Sequence, residues 1–381
     1  MMTFDINQVL KMGRNDKCWC GSGSKFKRCH EGREQEKFLS KGEVIDFEQK
    51  LSKREACYAP QNLLLECNNI IKAHTVSKSS GLSDIADNTK HVLGLKQNLA
   101  NFQKNKGKPR FEKIGINKAS TFKGFCAKHD KLLFSCFEDK PFIGTLEQCT
   151  ALTYRSIAKE IYAKENAVEV AQFMRKNADR GLPLILQLEK QKKIYPYKLG
   201  SEMALSELYK IKSNLDAELS NNSNDSYNFL VIESASPLPI VVSSITNPTH
   251  DFKDEYLQNL ANLEEAAEQL VFNAFTSNDK GFVVFSWLKK AKVIDRFINS
   301  LLEIDKKDMF SCLVKFFFSS AENTFISPDW WNTLDTEQQQ KIEVLFEIGS
   351  NYIEEERPKN ALADNSIMFT GWKVKNFYRV S

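Results

Sequence analysis

Between Thr145 and Leu219 apolar residues recur at helical spacing. Leu152, Ile157, Ile161, Val168 and Phe173 mark one face of a long helix, and Gly181-Leu182-Pro183 breaks it. A second helical pattern starts weakly at Leu184 and firms up from Ser201 to Leu219, so the pair predicts a helical hairpin. After the polar turn Asn221–Ser226 the period changes. NFLVIES, PIVVSSIT, QLVFNAFTS and GFVVFSWL are short β-branched and aromatic runs bounded by turn residues, and they predict a small antiparallel sheet. Between the second and third runs, EYLQNLANLEEAAEQ (255–269) has helical spacing. AKVIDRFINSLLEI, KDMFSCLVKFFFSSAEN and EQQQKIEVLFEIGSNYIEE predict closing helices, and the tail SIMFTGWKVKNFYRVS is expected to return to the sheet. The class is α+β.

The front of the chain reads differently. Residues 34–55 are charged, with only Phe38, Val44, Ile45 and Phe47 as an apolar face, which predicts a solvated linker or helix. Cysteine and histidine crowd this third of the chain: four of the five histidines and six of the nine cysteines precede residue 130. Crowding both types together points to metal sites in a reducing compartment and away from a disulfide framework. The expected organisation is a zinc knuckle at 1–33, a charged linker at 34–55, a second Cys/His module at 56–140 and an α+β body at 141–381. A 381-residue chain with 42% hydrophobic residues and 27 Phe can bury a large core. A net charge of +4 permits nucleic-acid binding without demanding it. No run of about 18 apolar residues and no secretory leader pattern is present, which makes the cytoplasm the expected location.

The densest chemistry lies in NDKCWCGSGSKFKRCH, Asn15 to His30. Cys18, Cys20, Cys29 and His30 supply three sulfur donors and one imidazole, a complete tetrahedral set for Zn²⁺. Gly21 and Gly23 let the chain turn back so that the two pairs face one ion. The stretch GRNDKCWCGSGSKFKRCH resembles the SEC-C motif at Gly13, Arg14, Asn15, Asp16, Cys18, Cys20, Gly21, Ser22, Gly23, Lys25, Phe26, Lys27, Cys29 and His30, while Lys17 and Trp19 stand where the motif has prolines. The resemblance implies Zn²⁺ binding by the three cysteines and His30. It also implies a docking role toward a protein or ribosome partner.

A second ligand set is written in two pairs: Cys67 and His74 with six residues between them, then Cys126 and His129 in C-x-x-H spacing. Local pairs joined across a fold are a common way to build zinc modules. Cys57 and His91 are the substitutes if one of the four is not a ligand. Between the pairs runs a basic stretch, Lys96, Lys104, Lys106, Lys108, Arg110, Lys113, Lys118, Lys123, Lys128 and Lys131, with Phe102 and Phe111 inside it. Such a stretch suits phosphate contacts and base stacking. Residues 57–137 are also similar to the HNH (ββα-metal) nucleases, through Ala73-His74, Asn88 and FCAKHDKLLF. That similarity implies a β-hairpin ending in a base, His74, beside a divalent ion, with Asn88 in support. Ser243, His250 and Asp251 lack the G-x-S-x-G turn of an exposed nucleophile and read as part of a β-hairpin and its loop. There is no P-loop, G-x-G-x-x-G or H-E-x-x-H.

Two functions follow. The first is a bacterial zinc-binding accessory protein that docks to protein, ribosome or nucleic acid, in a role such as stress or phage defence. The second is a metal-dependent nuclease with His74 as general base, the only reading that calls for Mg²⁺ or Mn²⁺ besides Zn²⁺.

Overall fold

The computed structural model describes residues 6–95, 110–221, 226–262, 264–350 and 361–380. The helices are α1 (Ile6–Leu10), α2 (Lys41–Ser52), α3 (Ala127–Glu138), α4 (Leu146–Asn177), α5 (Leu184–Asn221), α6 (Lys292–Leu302), α7 (Met309–Ser320), α8 (Pro328–Thr333) and α9 (Thr336–Ser350). The strands are β1 (Ile70–His74), β2 (His91–Leu95), β3 (Phe111–Gly115), β4 (Thr121–Cys126), β5 (Tyr227–Ser234), β6 (Ile240–Thr246), β7 (Leu270–Ser277), β8 (Lys280–Leu288), β9 (Thr324–Ile326) and β10 (Val374–Val380). The chain divides into two compact units, residues 1–55 with 161–210, and residues 56–160 with 211–381. Both long helices, α4 and α5, pass from one unit into the other, so the bounds cut across the expected 141–381 body.

In the first unit the helical hairpin forms as its spacing predicts. Gly181 makes the break: its φ is +73° and a Cβ there would meet the Glu36 carbonyl oxygen at 2.9 Å. The charged segment 34–55 contains α2, which starts with a capping box: the Ser40 hydroxyl accepts from the Glu43 N–H, and the Glu43 carboxylate accepts from the Ser40 N–H. Phe47 of its thin apolar face stacks on Phe173 of α4, ring centroids 4.1 Å apart. Arg54 donates to the Tyr162 carbonyl and the Asn166 side chain. The knuckle is not a free appendage on this segment. Val9, Cys18, Trp19 and Cys20 are buried together with Leu188 of α5, and Met12, Phe26, Cys29 and Leu184 close around them.

In the second unit β5 to β8 form the expected antiparallel sheet, but the sheet is larger than the runs suggest. Its order is β10-β5-β8-β7-β6-β9-β2-β3, all antiparallel. The C-terminal tail returns as β10 on one edge, while β9 recruits β2 and β3 from the Cys/His region on the other. One face packs on α6 and α7, where Phe272, Phe285, Phe297 and Phe316 meet ring to ring. Thr153 and Ser156, on α4, hydrogen-bond Ser286 and Asn273 of the sheet. Strands with both faces covered bury every residue, as β7 does. Residues 255–262 and 264–269 are irregular, not the expected helix. The Asn259 and Asn262 side chains bind backbone N–H groups two residues on, and the Gln258 side chain bridges Pro248 and Glu268, which diverts the polar groups a helix would use. Apart from the main sheet, β1 and β4 form a two-stranded antiparallel sheet, and α3 follows β4 directly. Among the described residues no helix is long and apolar enough to cross a membrane.

Candidate metal centres and a polar cavity

The knuckle is shaped by short-range backbone bonds. The Cys18 N–H donates to the Ser24 carbonyl and the Gly21 N–H to the Cys18 carbonyl, while Gly21 and Gly23 take φ of 73° and 74°. A 3-10 turn at Phe26–Arg28 then presents Cys29 and His30. The ligand atoms of Cys18, Cys20, Cys29 and His30 all lie within 4.8 Å of one another. His30 Nδ1 is 3.2 Å from the Sγ of both Cys18 and Cys29, and the Cys20 and Cys29 sulfurs are 3.5 Å apart. A tetrahedral Zn²⁺ with ordinary bond lengths has S···S and S···N edges of about 3.5–3.8 Å, so the donor set fits that ion. Trp19, which stands in place of a proline, covers His30 with ring centroids 4.4 Å apart.

The other nitrogen of His30 is engaged as well. Its Nε2 lies 2.9 Å from Asp179 Oδ2, and Asp179 also accepts from Arg33 Nε and Gln191 Nε2, each at 2.6 Å. Burial disfavours the charged imidazole, but Asp179, Cys20 and Cys29 outweigh it and raise the pKa of His30 to about 10. Metal binding there competes with a proton.

The second set forms around the start of α3. Backbone bonds from Ala56 N to Lys123 O and from Tyr58 N to Gly124 O lay residues 56–58 along β4, which places Cys57 beside Cys126. The 3-10 turn Gln61–Glu66 ends at Cys67, and Ala127 N donates to Asn69 O. Cys126 caps α3 and His129 lies in its first turn. His129 Nδ1 is 3.4 Å from Cys57 Sγ, 3.5 Å from Cys67 Sγ and 3.3 Å from Cys126 Sγ. Burial works against a Cys126 thiolate, yet hydrogen bonds from the backbone at Asn68 and His129 and from Cys57 and Cys67 hold this thiol below its ordinary range. These four donors also fit a tetrahedral Zn²⁺. His129 Nε2 is buried and has no hydrogen-bond partner among the described residues.

The structure therefore brings Cys67, Cys126 and His129 together with Cys57, and not with His74. His74 ends β1, and its Nε2 lies 3.2 Å from the Ile116 carbonyl. His91 is elsewhere, on β2, with Nδ1 against Thr89. His74 instead lines a polar cavity of about 460 Å³ with Lys72, Ser77, Lys78, Asp130, Glu138 and Asp139. Asp130 and Glu138 come from α3 and were not singled out in the sequence; the signal was their spacing after His129, which places them on one helix. Burial pushes Asp130 up to about 6 against the attraction of Arg155, and its Oδ1 has no hydrogen-bond partner among the described residues. Arg155 is 1% exposed, donates to Glu138 at 2.8 Å and lies 3.9 Å from Asp130. The cation rests over the Phe134 and Phe137 rings. Burial is also the main reason the His74 pKa is lowered.

Other expected contacts fall differently. Asn88 is exposed in the turn before β2 and is not among the residues lining the cavity. Lys96, Lys104, Lys106, Lys108 and Phe102 lie outside the described residues. Lys113, Lys128 and Lys131 pair with Asp87, Glu66 and Asp139. Phe111 is half-buried and packs against Phe318, Trp331 and Phe346.

The model of the SEC-C motif family matches residues 14–32, the stretch that holds the whole first ligand set. No solved structure matches the chain. The protein is a metal-binding protein of mixed helices and antiparallel sheets. Its SEC-C motif carries one Cys/His ligand set, and a second set lies at the start of α3.

Proposed function

We propose that the second unit is a metal-dependent nuclease in which His74 is the general base and both zinc sets are structural. The state of His74 carries this reading. A carbonyl oxygen only accepts, so the contact with Ile116 requires the proton on Nε2 and leaves the lone pair on Nδ1. Burial lowers its pKa and so favours the neutral ring, the state a base needs. Cys57 completes the second ligand set, which leaves His74 available. Asp130 and Glu138 line the same cavity and offer hard oxygen donors that would take Mg²⁺ or Mn²⁺ in competition with the Arg155 cation. A divalent ion there would supply charge stabilisation at a scissile phosphate. Lys72 and Lys78 on the cavity wall suit the phosphates of the substrate. In this site His74 takes a proton from the attacking water; β1 pairs with β4 and α3 follows β4, with β2 and β3 inserted between the two strands. The test is cleavage of plasmid DNA or RNA with Mg²⁺ or Mn²⁺. His74→Ala must abolish cutting while the zinc count stays unchanged; absence of cutting by the zinc-loaded wild type rejects the reading.

A second reading, a zinc-binding accessory protein of the bacterial cytoplasm, is favoured by the knuckle. Lys17, Lys25, Lys27 and Arg28 are exposed around its ligand set, a basic rim suited to an acidic protein or to ribosomal RNA. On this reading the Arg155–Glu138 pair is a structural ion pair, and the basic stretch Lys96–Lys131 adds a nucleic-acid contact. Salt-sensitive co-sedimentation with ribosomes, lost in a Lys25→Glu/Lys27→Glu variant, tests it. Binding that survives the charge reversal rejects it.

A further inference from the structure

We propose that Asp179 is an outer member of the first metal site, and that through it zinc binding at the knuckle and closure of the α4–α5 hairpin end are one coupled equilibrium. Asp179 lies 149 residues from His30 and far outside the stretch that the SEC-C motif covers. Its side chain is 0% exposed, and its two oxygens receive His30 Nε2, Arg33 Nε and Gln191 Nε2. The bond from His30 fixes the proton on Nε2 and turns Nδ1 toward the sulfurs. A carboxylate in that place also makes Nδ1 a better donor, which raises metal affinity.

The contact is wider than one bond, and it reaches ligand residues by separate routes. Arg33 donates through one terminal nitrogen to the Cys29 carbonyl at 3.1 Å and through the other to the Lys176 carbonyl at 2.6 Å, at the end of α4. Arg175, one residue earlier, donates to the Cys20 carbonyl at 2.5 Å. The Gly181 N–H donates to the Arg33 carbonyl at 3.0 Å. Gln191 holds the hairpin itself, donating from α5 to the Arg175 carbonyl and to Asp179. Cys20, Cys29 and His30 are thus each tied to residues of the hairpin. A ligand set that moves when zinc leaves must disturb these ties. By linkage, a hairpin that loses them must bind zinc more weakly.

This inference is independent of the nuclease reading, since none of its residues lines the His74 cavity. The experiment uses the full chain, a chromophoric chelator and Zn²⁺. Asp179→Asn keeps the size of the side chain but cannot accept all three donors. The expected result is one zinc per chain held about 10–100-fold more weakly, with the other unchanged. Amide exchange across residues 178–191 should rise when zinc is removed from the wild type. It should rise equally in Cys20→Ser with zinc supplied, which loses a ligand of the first site but keeps Asp179 and the second site. A merely structural role is separated by stability: Asp179→Asn must lower the unfolding midpoint of the zinc-loaded protein more than that of the zinc-free protein. Equal lowering in both, unchanged zinc affinity, or exchange indifferent to zinc would each overturn the proposal. If Asp179→Asn does not fold, Gln191→Leu, which removes one donor to the same carboxylate, is read by the same three criteria.

Discussion

Cys57 Sγ and His129 Nδ1 lie 3.4 Å apart although 72 residues separate them in the chain. This contact decides the fourth member of the second ligand set. Cys57→Ser should therefore lower the zinc content from two ions to one per chain, read by metal analysis of the purified protein. His74→Ala should leave it at two. Loss of zinc in His74→Ala would mean that the ligand sets have been assigned wrongly.

The two sets differ around their histidines. His30 Nε2 is held by the buried Asp179, whereas His129 Nε2 is buried without a partner and Cys67 is exposed. An outer carboxylate typically changes metal affinity by about 10–100-fold. A chelator titration should therefore be biphasic, with the weaker phase missing in Cys57→Ser and the tighter phase missing in Cys20→Ser. A single phase in the wild type would contradict this.

Asp130 gives a prediction in which activity and stability oppose each other. Its carboxyl is raised from 3.8 to about 6, chiefly by burial. The folded protein then binds this proton more tightly than the unfolded chain, so stability falls as pH rises through that window. Asp130→Asn should be more stable than wild type at pH 7, by on the order of 1–3 kcal/mol, with the gain vanishing below about pH 4. The same variant should lose any stabilisation by Mn²⁺, and any nuclease activity should fall in acid as this group protonates. Denaturant unfolding at pH 4 and pH 7, with and without Mn²⁺, checks each sign.

The hairpin turn rests on backbone that only glycine adopts easily. Gly181→Ala meets both a φ of +73° and the Glu36 carbonyl at 2.9 Å. A loss of about 1–3 kcal/mol is expected, measured as a lower unfolding midpoint. Gly200→Ala, inside α5 with open space around it, should instead be neutral or stabilising.

The first ligand set is legible in the sequence because all four residues fall within one short loop, where spacing alone constrains geometry. For the second set Cys126 and His129 share a helical turn and can be read locally. Cys57 cannot, because strand-like bonds from residues 56–58 to β4 bring it in, a tertiary relation with no local mark. The β5–β8 runs are legible from their β-branched content, while among the described residues β2 and β3 join the sheet through the three-residue β9. The weak start of α5 reflects Pro196, which the helix absorbs in its interior. Asp179 carries no signal at all, since its role depends on a partner 149 positions away.

That separation has a consequence for synthesis. Cys18, Cys20, Cys29 and His30 leave the ribosome well before Asp179 exists, a delay of roughly 7–30 s at about 5–20 residues per second. During that interval the nascent loop competes for cellular zinc with its four inner donors alone. The hairpin arrives afterwards, so the outer carboxylate would reach a loop that has already had time to take up its metal.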